Sequence, residues 1–269
     1  MLGKRVLASL ALAAIGIPAI ILGGVYYSVL IAFFLGTAAW EYGRIFSEVN
    51  CKIFEPLLIA CVVLVVAART FFPNLAAAAL TVSVLVAMAW HLLEYENGCD
   101  QAGTDFAVTT AGIVYLGWIG AYLIDLRGLP NGLWWLLLVL PAVWLSDTAA
   151  YFVGRQFGRH PLSPRLSPKK TWEGYWAGVI AGTLGTLGLS LLWHLLGGPA
   201  VLWWKALALG AALSVLATLG DLGESMLKRQ AGVKDSSNII PGHGGVLDRI
   251  DSWLWGAALG YLLITWFLS

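Results

Sequence analysis

The sequence predicts an all-α, polytopic integral membrane protein of about nine transmembrane helices with its N-terminus in the cytoplasm. Three observations predict it. Of 269 residues, 59% are hydrophobic and only 12% charged, where a soluble domain carries about 25%. Mean hydropathy is +0.79, so too little polar surface exists to cover a soluble fold, and lipid must solvate the remainder. Apolar runs of the length needed to cross about 30 Å of hydrocarbon also recur along the whole chain. The net charge of +1 argues against a nucleic-acid surface. Cys51, Cys61 and Cys99 lack any C-x-x-C spacing, which excludes a disulfide framework or a cysteine zinc site and leaves buried or reduced thiols.

In order, the runs fall at residues 6–24, 25–43, 55–71, 75–93, 106–124, 133–153, 174–195, 200–228 and 252–268. Lys4 and Arg5 precede the first run as in a signal peptide. It is too long and has no small-residue cleavage pattern, and so reads as a retained helix. Gly23, Gly24, Tyr26 and Tyr27 mark the turn into the second. Trp134 with Trp135 opens the sixth and Trp203 with Trp204 the eighth, where indole prefers the headgroup zone. With the N-terminus inside, all of the 16 basic residues except Arg69, Arg127 and Lys205 fall on the cytoplasmic side, as the positive-inside rule requires. Residues 154–173 and 229–251 are the longest polar connections, both predicted on that side. The chain therefore reads as one transmembrane catalytic domain over 1–269, with N-terminal spans in 1–130 and catalytic spans and cytoplasmic loops in 131–269.

An Asp at a helix centre costs about 2.5 to 3.5 kcal/mol on the insertion scale and so needs a partner or a function. Three places stand out. In the sixth span Asp147, Tyr151 and Arg155 follow at four-residue steps on one face. They form either a functional carboxylate or an internal Asp to Arg pair that snorkels outward. At the end of the eighth, Asp221, Glu224, Ser225 and Lys228 form one stripe, either directed into a cleft or lying on a solvated helix end. Beyond it runs the loop from Lys234 to Asp251. Its glycines at 242, 244 and 245 let the backbone approach a phosphate, and Asp248 and Asp251 can offer oxygens to a hard cation such as Mg²⁺. Alternatively one of the two aspartates caps the ninth helix, Asp251 lying closer to the apolar run. Carboxylates at 147, 221, 248 and 251 and cations at 169, 170, 228, 229, 234 and 249 suit phosphate chemistry, in which two polyanions must be brought together. A phosphate nucleophile is already ionised, so no general base is needed. Of the histidines, only His243 is in a suggestive context.

At these residues the sequence resembles the phosphatidate cytidylyltransferase family of bacterial type. The resemblance is carried by Ser225, Lys228-Arg229, Lys234-Asp235, His243-Gly244-Gly245 and Asp248-Arg249-Ile250-Asp251. It extends to the block Ser146 to Tyr151 with Gly154 and to the block Ser167 to Gly174. It implies transfer of a cytidylyl group from CTP to phosphatidic acid with release of pyrophosphate, a requirement for Mg²⁺, membrane lipids as partners, and residence in the plasma (inner) membrane with the site facing the cytoplasm. On that reading Asp221, Asp248, Lys228, Arg229, Lys234 and His243 are catalytic. Lys169, Lys170, Gly244, Gly245, Arg249 and Ser225 bind CTP or lipid phosphate, and Asp221, Asp248, Asp251 and Asp147 hold the metal. Gly174, Gly178 and Gly182 make a small-xxx-small face, which forms a homodimer seam, as the resemblance suggests, or packs inside one protomer. Two rivals remain: a CTP-dependent lipid or polyprenol kinase, and a transporter whose intramembrane charges form an ion path.

Overall fold

In a computed structural model, residues 13–49, 51–240 and 244–268 are described. The N-terminal half comprises α1 (Ala13–Leu22), α2 (Gly24–Ser47), α3 (Glu55–Phe71), α4 (Ala76–Glu96), α5 (Ala102–Gly112) and α6 (Tyr122–Gly128). It continues with α7 (Gly132–Phe157), strands β1 (Pro161–Ser163) and β2 (Ser167–Thr171), α8 (Trp172–Leu195), α9 (Trp203–Leu216), α10 (Thr218–Gln230) and α11 (Leu247–Leu263). Among the described residues, six stretches are long and apolar enough to cross a membrane: Gly24–Ser47, Pro73–Glu96, Ala102–Gly128, Gly132–Phe157, Trp172–Leu195 and Trp203–Gln230. Of the other predicted spans, the first lies partly outside the described residues. The third is α3, of 17 residues, and the ninth is α11, which widens into a π-helical turn at Ile264–Leu268. The helix break predicted at Gly23 and Gly24 is present, with both glycines at positive φ (65° and 52°), a conformation that costs glycine little.

The chain forms two compact units. One contains Met1–Asp125 and Leu227–Ile250, the other Leu126–Met226 and Asp251–Ser269. In the first, α2 buries Ile31, Leu35, Ala38 and Ala39, and α3 buries Leu58, Val62 and Val65. A side chain at Gly112 would strike the ring of Tyr42 at 2.8 Å and Leu58 at 3.1 Å, so only glycine lets α5 approach so closely. α4 turns Ala76, Ser83, Ala87 and His91 inward and Leu85, Leu92 and Leu93 outward, large apolar groups facing what must be lipid. Arg69 pairs with Asp125 between the rings of Trp118 and Tyr122, which offsets the cost of a part-buried ion pair.

The second unit is built on the glycine face of α8. A Cβ at Gly174 would sit 2.5 Å from the carbonyl of Ala150 on α7, one at Gly178 would sit 2.8 Å from that of Ser146, and one at Gly182 would sit 2.0 Å from Ser214 Oγ on α9. The small-residue face is therefore used inside the protomer. On the other side of α8, Ile180, Leu184 and Leu191 are exposed. The polar connection before α8 is a two-stranded antiparallel hairpin, Pro161 opposite Thr171 and Ser163 opposite Ser167, where an all-helical reading expects a loop. Thr171 caps α8 by accepting the Gly174 N–H at 3.2 Å, and Glu173 accepts from the backbone N–H groups of Arg159 and His160. The predicted eighth span is divided: the backbone tightens where Gly220 N–H donates to the Ala217 carbonyl, ending α9 and starting α10.

Candidate active site

The predicted site residues fall into two polar clusters, one in each unit. In the unit containing the N-terminal helices, Lys228 on α10 pairs with Asp248 on α11, Nζ to Oδ1 2.5 Å, and both side chains are almost covered. The other oxygen of Asp248 accepts three bonds: from Ser236 N–H at 3.0 Å, Ser236 Oγ at 2.9 Å and Gly245 N–H at 2.8 Å. Charge-assisted bonds contribute about 1.5 to 3 kcal/mol each, so this carboxylate is held in one orientation. Gly244 has φ +82°, and a Cβ there would lie 2.6 Å from Asp248 Oδ2. Ile240 N–H donates to the Gly244 carbonyl at 2.9 Å. His243 lies outside the described residues.

Ser236 also leads to a residue that the sequence reading passed over. Glu41 on α2 is fully buried. Its Oε1 accepts from Ser237 Oγ at 2.6 Å and Val246 N–H at 2.9 Å. Its Oε2 accepts from Leu247 N–H at 2.7 Å and Ser236 Oγ at 3.1 Å. The first N–H groups of α11 have no partner inside the helix, and Glu41 supplies one. Neither aspartate is the cap: Asp248 faces Lys228 and Ser236, and Asp251 lies a full turn inside α11, where its Oδ1 accepts from Ser252 N–H at 2.6 Å. The signal was available in the sequence, since Glu41 is an ionisable residue inside a predicted span.

In the other unit Lys170 on β2 pairs with Asp221 on α10 at 2.6 Å, and Ser225 Oγ donates to the second oxygen of Asp221 at 3.3 Å. Asp147 on α7 has Lys170, Asp221 and Asp251 as charged neighbours. It makes no pair with Arg155, whose guanidinium donates instead to the Tyr151 hydroxyl. Strand alternation separates the two predicted lysines: Lys170 is partly covered, Lys169 exposed. Arg229, Lys234 and Arg249 are also exposed, Arg229 donating to the Val233 carbonyl at 3.2 Å.

Asp147, Asp221 and Asp251 carry hard oxygen donors, the donor type a Mg²⁺ ion takes. Among the described residues, no three His, Cys, Asp or Glu side chains are drawn into one cluster that could hold a metal, and Lys170 and Lys228 neutralise the aspartates they face.

Comparison with known proteins agrees with the motif reading. Residues 3–267 match the model of the Cytidylyltransferase family. The chain is 37% identical over 262 residues to a phosphatidate cytidylyltransferase of Pseudomonas aeruginosa, covering 94% of this chain and 93% of that protein. It is 31% identical to one of Synechocystis sp., covering 97% and 96%. With one of Bacillus subtilis it shares 39% over 159 residues, 59% of this chain and 58% of the relative. A match that runs almost end to end, through every block that carries the paired charges, means that the chain belongs to the cytidylyltransferase family.

Proposed function

We propose that the protein transfers a cytidylyl group from CTP to phosphatidic acid, giving CDP-diacylglycerol and pyrophosphate for phospholipid synthesis. What carries the reading is the family match over residues 3–267, with the relatives named as phosphatidate cytidylyltransferases along their full length. The two Lys to Asp pairs support it chemically. A lipid phosphate oxygen attacks the α-phosphorus of CTP. The bond from that phosphorus to the bridging oxygen breaks, and pyrophosphate leaves with the electron pair. The nucleophile is ionised near neutral pH, so no side chain need take its proton.

Lys228, Arg229 and Lys234 neutralise the triphosphate and the departing pyrophosphate, His243 and Arg249 standing on the same segment. Lys169 and Lys170 orient a phosphate of either substrate, while Ser225 and the backbone at Gly244 and Gly245 make the close contacts. Asp248 in one unit, and Asp221, Asp147 and Asp251 in the other, offer the oxygens that would hold Mg²⁺. Bound there, the ion would supply positive charge that offsets the charge developing on transfer. The acyl chains stay in the bilayer of the plasma (inner) membrane, crossed nine times with the N-terminus and the polar loops in the cytoplasm.

The test is formation of labelled CDP-lipid and pyrophosphate from CTP and phosphatidic acid in detergent micelles, with and without Mg²⁺, for the wild type and Asp248→Ala. Metal-dependent CDP-lipid in the wild type, reduced at least about 100-fold in the variant, is expected. Phosphorylated lipid with CDP would assign the kinase reaction, and full turnover by Asp248→Ala would remove that residue from the site.

A further inference from the structure

We propose that Glu41 is a positioning residue of the transfer reaction, acting from α2 through Ser236 and the N-terminus of α11 to fix the carboxylate of Asp248. The inference rests on the reading of Asp248 as a group that engages the phosphates of CTP or their metal.

Glu41 is fully buried. All four of its recorded partners are neutral donors from one segment, Ser236, Ser237, Val246 and Leu247. A buried carboxylate held by neutral donors is expensive, and a serine or aspartate placed just before α11 would cap it at less cost. The arrangement therefore does something a local cap cannot. It ties both ends of the loop, 236–237 and 246–247, to one rigid group on another helix. Asp248 is the next residue of α11 and is held by the same loop.

The Ser236 hydroxyl couples the two acids directly. It stands 3.1 Å from Glu41 Oε2 and 2.9 Å from Asp248 Oδ2 but has one proton, so it donates to one carboxylate at a time. Asp248 retains the N–H groups of Ser236 and Gly245 when the hydroxyl turns to Glu41. The carboxylate can therefore leave Lys228 for a cation without losing its anchorage, and Glu41 receives the released donor. Gly245 closes the arrangement, since a Cβ there would lie 2.0 Å from Ser236 Oγ and 2.4 Å from Glu41 Oε1.

The experiment compares Glu41→Gln, Glu41→Asp, Ser236→Ala and Glu41→Gln/Ser236→Ala in the full-length detergent-solubilised protein. It reads kcat and the KM for CTP beside hydrogen exchange of backbone amides in residues 231–250 and in α7–α8. Glutamine keeps the volume of Glu41 but turns an NH₂ group towards N–H donors. Glu41→Gln is expected to lower kcat about 10- to 100-fold, the size of a misplaced catalytic group, with KM within about threefold. Exchange should quicken in 231–250 alone. Glu41→Asp should recover part of kcat, and Ser236→Ala should cost less on the Gln background than on the wild type. Wild-type kcat in Glu41→Gln, loss of kcat with unchanged exchange in 231–250, or exchange quickened equally in α7–α8 would each overturn the proposal. Full turnover by Asp248→Ala would instead overturn the reading of Asp248 on which it rests, whatever the exchange data show.

Discussion

Gly244 and Gly245 are adjacent and serve different needs. Gly244 takes a positive φ and accepts the Ile240 N–H on its carbonyl, and Gly245 leaves the space in which Ser236 and Glu41 meet. Gly245→Ala would place a methyl group inside the contact distance of two polar oxygens, one of them on the rigid α2. Overpacking of this kind costs about 1 to 3 kcal/mol. The variant should therefore unfold at a lower temperature in detergent and lose at least about tenfold in turnover; wild-type values for both would show that the loop tolerates the displacement. The sequence made Asp248 and Lys228 legible because both lie in one dense block of charge and glycine. Glu41 was not, because its donors lie 195 to 206 positions further along the chain, and no local pattern expresses that distance. Its position within the predicted span 25–43 was the one physical clue. The pairing of Lys170, rather than Lys169, with Asp221 was equally hidden, because choosing between adjacent lysines needs the strand that β2 supplies.

At the level of elements, the four-residue glycine spacing of α8 was visible, but its partner was not. The same face fits a second copy or a neighbouring helix, and the structure fills it with Ala150, Ser146 and Ser214. The consequence is specific to position. Gly182→Ala would press a methyl group against Ser214 Oγ and is expected to destabilise by about 1 to 3 kcal/mol. Gly188, on the same helix, has nothing within 4 Å of an added Cβ, so Gly188→Ala should be neutral or stabilise by up to about 1 kcal/mol through helix propensity. Thermal unfolding of the two variants in one detergent checks the contrast, and equal shifts would mean that α8 is not seated through its glycines. The β1–β2 hairpin escaped sequence reading for a simpler reason. Strands of three and five residues are too short for alternation to show, although the hairpin is what gives Lys170 its direction. The break between α9 and α10 escaped as well, since an apolar run reads the same whether its helix is continuous or divided.

For the whole molecule, composition was decisive because the solvent is lipid. Side chains such as Ile180, Leu184, Leu85 and Leu92 face outward, while Ser83, Thr186 and Ser190 are buried, the reverse of the distribution water imposes on a soluble fold. Sidedness follows from a different force. Nine of the 16 basic residues lie in the segments 155–170 and 228–249, and the positive-inside rule predicts such segments on the cytoplasmic side. Membrane sidedness also bears on the proposed reaction and can be tested directly. In a variant with Cys51, Cys61 and Cys99 replaced by serine, Arg159→Cys, Lys234→Cys and Leu196→Cys each offer one exposed thiol to a membrane-impermeant maleimide. The cysteines at 159 and 234 should react in inverted vesicles and resist in intact spheroplasts, and the cysteine at 196 should do the opposite. A reversed pattern at all three would place the N-terminus outside. Labelling of 159 and 234 from opposite sides would require an odd number of crossings between them, so that α8 and the α9–α10 segment could not both span.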